Sequence, residues 1–305
     1  MFLSKFAGVV ALAGAVSASP VVLEKRDGIN DGIILNYALT LEHLEDTFYR
    51  QGLAKYSQQD FAAAGFDSTF YNNIKKVSAD ETTHVSFLTT ALKAAGVAPV
   101  AECTYNFGYN DVKTFLATAS ILEGVGVSAY LGAAADIMSK TYLTAAGSIL
   151  TVEARHSSYI RSGLQQVPFA QPFDAPLSIN EVYSLASQFI TACPDSNPML
   201  PVKAFPKLAV APAASGASIT TGSTVTIQTP GYVLQAAQGT TPTIYAAFIA
   251  VTGPTFVTAT PVSGGFTVPI PEGFAGQTYV VLTACNETVS DDTVAAGPAV
   301  IEIAS

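Results

Sequence analysis

Two of the chain's three histidines lie three residues after a glutamate, in Glu81-Thr82-Thr83-His84 and Glu153-Ala154-Arg155-His156. Each string falls inside a long stretch of helical periodicity. Residues i and i+3 share one face of a helix, so each string aims a carboxylate and an imidazole at one point. Such groups are not buried without partners. The strings therefore constrain the fold: either both face water, or other helices bring matching groups to them.

Four long segments have the period a helix needs. The first runs from about Asp31 to Lys55, with Ile34, Leu35, Ala38, Leu41, Leu44 and Phe48 at helical spacing. The second covers about 68–95 and is stopped by Gly96 and Pro99. The third starts at Asp111, a good N-cap, and reaches about Ala135. The fourth spans about 139–164 and is ended by Pro168. A shorter fifth helix is predicted over 179–190, capped by Ser178.

The third segment is apolar or small almost throughout, and by hydropathy alone it could pass for a membrane span. Glu123 sits near its middle. A buried, unpaired carboxylate costs several kcal/mol or stays protonated. A helix surrounded by other helices, with Glu123 facing a cation, removes the difficulty, so the segment reads as the core of a soluble bundle.

Two Glu-x-x-His helices call for one glutamate from each of two others. Glu123 is one; Glu42 and Glu45 compete for the other. Internal repetition chooses between them. Leu41-Glu42 is followed seven residues later by Tyr49, and Leu122-Glu123 by Tyr130. Seven residues turn a helix by about 700°, which places each tyrosine above its glutamate. Glu42 thus matches Glu123, and Glu45 matches Gly126. Depth agrees as well: the midpoint of Glu123 and Glu153 is Met138, in the predicted third turn, and that of Glu42 and Glu81 falls at Phe61 and Ala62. The connection over 96–110 can extend about 50 Å, enough to cross a bundle about 36 Å long, so crossover and up-down topologies both remain open.

Four glutamates and two histidines inside a four-helix bundle form the ligand set of carboxylate-bridged di-iron or di-manganese proteins. Glutamates bridge two hard cations and neutralise them, one histidine per metal adds nitrogen, and open positions admit O2 or peroxide. The runs from Leu39 to Tyr49, from Asp80 to His84 and from Thr151 to His156 resemble the fungal secreted ferritin-like domain proteins. Those are described as sexual-development or stress-response proteins, with plant desiccation-related proteins as distant relatives. The resemblance covers about residues 30–195. It implies a ferritin-like fold and puts Glu42, Glu81, His84, Glu123, Glu153 and His156 on the metal positions, holding two ions of iron or manganese. Alternatives stay open for the neighbours. Glu45 accepts a hydrogen bond behind the ligands, serves as another ligand, or is a solvated or helix-pairing group. Tyr49 and Tyr130 bond ligand carboxylates, exchange electrons, or simply fill space. Asp80 either orients a histidine or does not. His43 points about 100° away from Glu42 and is not expected to be a ligand.

Residues 1–18 read as a signal peptide cleaved after Ala18, and 19–26 as a short propeptide ending at Lys25-Arg26. In an oxidising compartment Cys103 and Cys193 are expected to pair, leaving Cys285 free and buried. Asn286-Glu287-Thr288 is a glycosylation sequon, and no apolar tail suggests a lipid anchor.

The helical domain is expected over 27–200, a linker over 201–207, and a second domain over 208–305. From Leu208 onward there is no lysine, arginine or histidine. Short β-branched runs at 223–229, 243–251, 255–260, 266–270, 277–283 and 299–304 are separated by Gly and Pro, the pattern of a small immunoglobulin-like β-sandwich. The stretch from Gly276 to Val281 resembles the tyrosine-corner strand of such folds.

A net charge of -9 argues against nucleic acid and anionic membrane as partners. Two functions remain. One is a secreted redox enzyme that oxidises Fe(II), disproportionates peroxide or activates O2. The other is a non-catalytic extracellular or wall-associated protein with a structural metal site, its threonine-rich β-domain contacting polysaccharide or a protein. The leader and the bulky second domain argue against storage in a closed cage.

Overall fold

The computed structural model describes residues 28–212, 218–234 and 243–304. Ala18 and Arg26, with the expected leader and propeptide, lie outside the described residues. The helices are α1 (Asp31–Lys55), α2 (Gln58–Ala63), α3 (Ser68–Ala94), α4 (Val112–Ala133), α5 (Lys140–Gly163) and α6 (Ile179–Ala186). The four long ones start where Asn30, Asp67, Asp111 and Ser139 accept a first-turn amide in their side chains, satisfying donors the helix itself cannot.

α1 and α3 form one hairpin, closed by α2 around the buried Phe61. α4 and α5 form the other, closed by a 3-10 turn over Ala134–Asp136 and by Met138. The segment between α3 and α4 settles the topology. It bonds to the start of α1, where Asn36 Nδ2 donates to the Ala98 carbonyl (3.0 Å) and Val100 N donates to Asn36 Oδ1 (2.8 Å). It then bonds to the end of α1, where Lys55 Nζ donates to the Tyr109 carbonyl (3.1 Å). The segment thus runs the length of α1, and the bundle has one long crossover rather than up-down order.

The membrane-like hydropathy of α4 has a packing cause: 72% of its apolar window is buried inside the protein. Four neighbours cover it. α1 and α5 take the bundle face. The strand of backbone at Leu177 lies so close that a Cβ on Gly132 would stand 1.9 Å from its carbonyl oxygen, and one on Gly124 would meet the Gln277 side chain at 2.5 Å. A helix covered over most of its surface has little polar face to display.

The fifth predicted helix is shorter than expected. α6 ends at Ala186, and the chain turns into β2 (Ile190–Ala192), which pairs antiparallel with β1 (Thr104–Tyr105) of the crossover segment. Cys103 and Cys193 are disulfide-bonded beside that pair.

Two four-stranded antiparallel sheets make up the rest. The first joins β3 (Ala209–Val210), β4 (Thr224–Gln228), β8 (Gly265–Pro269) and β7 (Thr260–Val262); the second joins β10 (Val294–Ile303), β9 (Gly276–Thr283), β5 (Tyr245–Phe248) and β6 (Thr255–Thr258). Ile227 and Val268 of one sheet share a buried core with Phe248, Val280, Leu282 and Ile301 of the other. The strand expected at 299–304 is the end of the longer β10, the run expected at 255–260 divides into β6 and the start of β7, and β3 lies outside the predicted runs. Cys285 is half-exposed rather than buried, and Asn286 beside it is exposed.

The join between the domains is packed. Within the expected linker over 201–207, Phe205 is buried against Ala247, Val281 and Val294, and its amide donates to Ser184 Oγ (2.8 Å). Tyr279 makes no tyrosine corner. Its hydroxyl leaves its own domain, donates to the Gly124 carbonyl (2.8 Å) and accepts from Ser128 Oγ (3.0 Å) on α4. Arg161 of α5 meets Glu302 of β10 through two bonds of 2.8 Å. The sandwich is bolted to the outer face of the α4–α5 hairpin.

Candidate metal centre

The bundle brings together all six residues proposed from sequence. Glu42, Glu81, Glu123 and Glu153 are each 0% exposed, and His84 and His156 are buried beside them. They form two groups, Glu42–Glu81–His84–Glu153 and Glu81–Glu123–Glu153–His156, whose donor atoms lie within 4.8 Å of one another in each group. Glu81 and Glu153 belong to both.

The distances show how the sharing works. Glu81 Oε2 is 3.1 Å from His84 Nδ1, and Glu81 Oε1 is 3.0 Å from His156 Nδ1. His84 Nδ1 also stands 3.2 Å from Glu42 Oε2 and 3.2 Å from Glu153 Oε1. His156 Nδ1 lies 3.3 Å from Glu123 Oε2. The i, i+3 spacing thus aims each string inward, although Glu153 faces His84 of the other string rather than His156.

Protons alone satisfy this arrangement poorly. One Nδ1–H can serve one acceptor well, whereas His84 Nδ1 faces three carboxylates. Glu81 Oε1, Glu123 Oε2, both Glu153 oxygens and His156 Nδ1 are buried with no hydrogen-bond partner among the described residues. His156 Nδ1 and Glu81 Oε1 are 3.0 Å apart, yet they do not meet in hydrogen-bond geometry. Orphaned buried groups at this density are rare. Two divalent cations would answer them, because opposed ligands at about 2.0–2.2 Å from a metal stand about 4 Å apart and four glutamates cancel four positive charges. The residues fit a two-metal site.

The electrostatics of the cluster agree. Burial raises the Glu42 carboxyl to about 7, against the pull of His84. Burial also pushes Glu45 and Glu153 well above the usual carboxylate range, reinforced by neighbouring glutamates. Glu81 is buried too, but the two imidazoles outweigh that and hold it down to about 2. Burial disfavours the His156 cation, yet Glu123 and Glu81 more than offset it and raise that group to about 11.

Around the six, the structure gives each neighbour its contacts. Tyr49 donates to Glu123 and Tyr130 donates to Glu42. Each tyrosine therefore holds the glutamate of the opposite hairpin, not the one seven residues before it, because α1 and α4 run antiparallel. Asp80 Oδ2 is 3.4 Å from His156 Nε2, while its other oxygen pairs with Lys76. His84 Nε2 makes no such bond among the described residues, and Val152 stands where an acidic equivalent of Asp80 would be. His43 turns outward, its Nε2 3.2 Å from the Val100 carbonyl.

Glu45 is buried, not solvated. Its Oε1 lies 3.1 Å from where a Cβ on Gly126 would be, and Glu153 Oε2 lies 3.4 Å from that point. The mismatch in the internal repeat thus has a spatial meaning. Gly126 leaves the room that the Glu45 carboxylate fills, and one half of the site carries an extra acid.

Residues 30–166 match the family model described as the ferritin-like domain. The bundle is ferritin-like. All six cluster residues lie within the matched span. Protein rds1 of the fission yeast Schizosaccharomyces pombe is 27% identical over 174 residues, covering 57% of this chain and 42% of that protein. The chain therefore spans less than half the length of the curated relative it matches, and the sandwich lies outside the ferritin-like match.

Proposed function

We propose that the ferritin-like bundle holds two metal ions, iron or manganese, and uses them for oxidative chemistry on Fe(II), O2 or peroxide outside the cell. The observation that supports this reading is the convergence of buried, unpartnered carboxylate and imidazole atoms on two adjoining points. Glu81 and Glu153, common to both donor groups, would help hold both ions, with Glu42 and His84 completing one group and Glu123 and His156 the other. When bound, such a pair supplies Lewis acidity and redox equivalents.

The chain's own groups prepare that site. The Tyr49 and Tyr130 hydroxyls hold Glu123 and Glu42 in place, and each places a proton beside a ligand oxygen. Asp80 fixes the ring of His156 so that Nδ1 faces inward. Glu45, whose carboxyl is pushed above the usual range by burial and the neighbouring glutamates, lies beside Glu153. Surrounding leucines and aromatics keep bulk water away, which strengthens each of these interactions.

Extracellular placement rests on the Cys103–Cys193 bridge, a feature of oxidising compartments, together with the leader read from the sequence. A role in stress or development follows the resemblance to the fungal proteins. The complete burial of the four glutamates favours a second reading, a structural metal pair in a non-catalytic surface protein. Metal-loaded protein given Fe(II) with O2, or peroxide, separates the two. Turnover lost in Glu123→Ala and His156→Ala supports the enzyme; bound metal without turnover supports the structural role; no metal under loading conditions sinks both.

A further inference from the structure

The join between bundle and sandwich leaves a groove. One hollow of about 260 Å³ lies against α5 and the loop that follows it, and a second of about 310 Å³ continues it along the sandwich. Gln171, Phe173 and Gln277 line both. The walls are firmly held. Ser158 Oγ donates to the Pro168 carbonyl (2.9 Å) and Arg161 Nε to the Val167 carbonyl (3.0 Å). A Cβ on Gly276 would meet Ala170 at 2.7 Å, so loop and sandwich touch closely here. Pro168, Pro172 and Pro176 stiffen the loop further.

The chemistry of the groove narrows its occupant. Phe169 and Phe173 are 80% and 62% exposed at its lip, an arrangement a folded chain does not need for itself. On the same loop, the Gln171 amide and the Asp174 carboxylate line the groove and make no hydrogen bond to another described residue. Arg161 is the one cation among the described lining residues, and Glu302 engages both ends of its guanidinium. With Asp174 and Glu272 in the walls, no charge remains for a phosphate or carboxylate ligand. A purely apolar ligand would leave the amide and acid unpaired, at a cost.

A neutral sugar chain answers each condition. Its rings offer a carbon–hydrogen face to phenylalanine and hydroxyls to amide and carboxylate, and its length follows two adjoining hollows. We propose that this interdomain groove binds a neutral oligosaccharide, with Phe169 and Phe173 as ring platforms and Gln171 and Asp174 as hydroxyl partners. The site does not involve the metal cluster and stands or falls without it.

Affinity electrophoresis of the full chain through native gels containing soluble β-1,3-glucan, glycol chitin or α-mannan tests the assignment. Retardation by at least one of these polymers is expected. Phe169→Ala and Phe173→Ala should each weaken it about tenfold, the loss from exposing one aromatic contact, with melting temperature and metal content unchanged because both rings are already exposed. Gln171→Ala should weaken it less. Migration unaffected by every neutral polymer, retardation that Phe173→Ala leaves undiminished, or retention only by charged polymers or a protein would overturn the proposal.

Discussion

Stripping metal from the protein should make its stability fall as pH rises, in a way the loaded protein does not share. Glu42 supplies the magnitude. The unfolded chain releases this proton near 4.5, whereas the folded metal-free chain holds it to about 7. Between those values the native state binds more protons than the unfolded state, so stability declines with pH. At about 1.36 kcal/mol for each pH unit the loss is roughly 3 kcal/mol, with Glu45 and Glu153 adding in the same direction. His156, raised from 6.5 to about 11, contributes stability that is complete below about 6.5 and fades as pH climbs. Glu81, held down to about 2, loses its contribution only in acid and does not enter this window. Thermal unfolding of chelator-treated protein should therefore give a melting temperature about 6–12 °C lower at pH 8 than at pH 5. The loaded protein should be protected most at pH 8, where the metals displace the fewest protons. A metal-free protein that melts at one temperature across this range would refute the reasoning, because its glutamates could not then be buried without charge compensation.

Other outcomes follow from single contacts. Tyr49→Phe and Tyr130→Phe each remove the donor from a terminal glutamate and should weaken metal affinity about tenfold or more without unfolding the bundle, read by competition against a chelator. Asp80→Asn should weaken the His156 side of the site by about 10–100-fold and leave the His84 side intact, so titration should resolve two unequal steps. Gly132→Ala should destabilise the bundle by about 3 kcal/mol or more, since its methyl would have to displace the Leu177 backbone; denaturant melts measure this.

The long helices were legible because their apolar period, caps and stop signals agree, as at Asp111 and at Gly96. α2 was not, since its six residues are too few to display a period. β10 was read only at its end because Val294 to Pro298 is rich in small residues that look like a connection, yet they lie buried against β9. α6 ends early because the chain must reach β1, a pairing partner far away in sequence. The six cluster residues could be read from spacing and repetition on individual helices. The crossed tyrosine bonds could not, since they depend on which hairpin faces which. Glu45 lay between these cases: its mismatch with Gly126 was visible, but the meaning of the gap required the antiparallel packing of α1 and α4. Tyr279 was misread because a strand's own pattern does not reveal that its face is covered by another domain.

Metal content per chain tests the account most directly. Protein loaded with Fe(II) or Mn(II), freed of excess ion and measured by elemental analysis should hold two ions per chain. Glu42→Ala with His84→Ala should leave one, and Glu81→Ala should lose both, because its two oxygens face the two imidazoles. Loading of fewer than two ions by the unaltered chain, or loading untouched by Glu81→Ala, would contradict it.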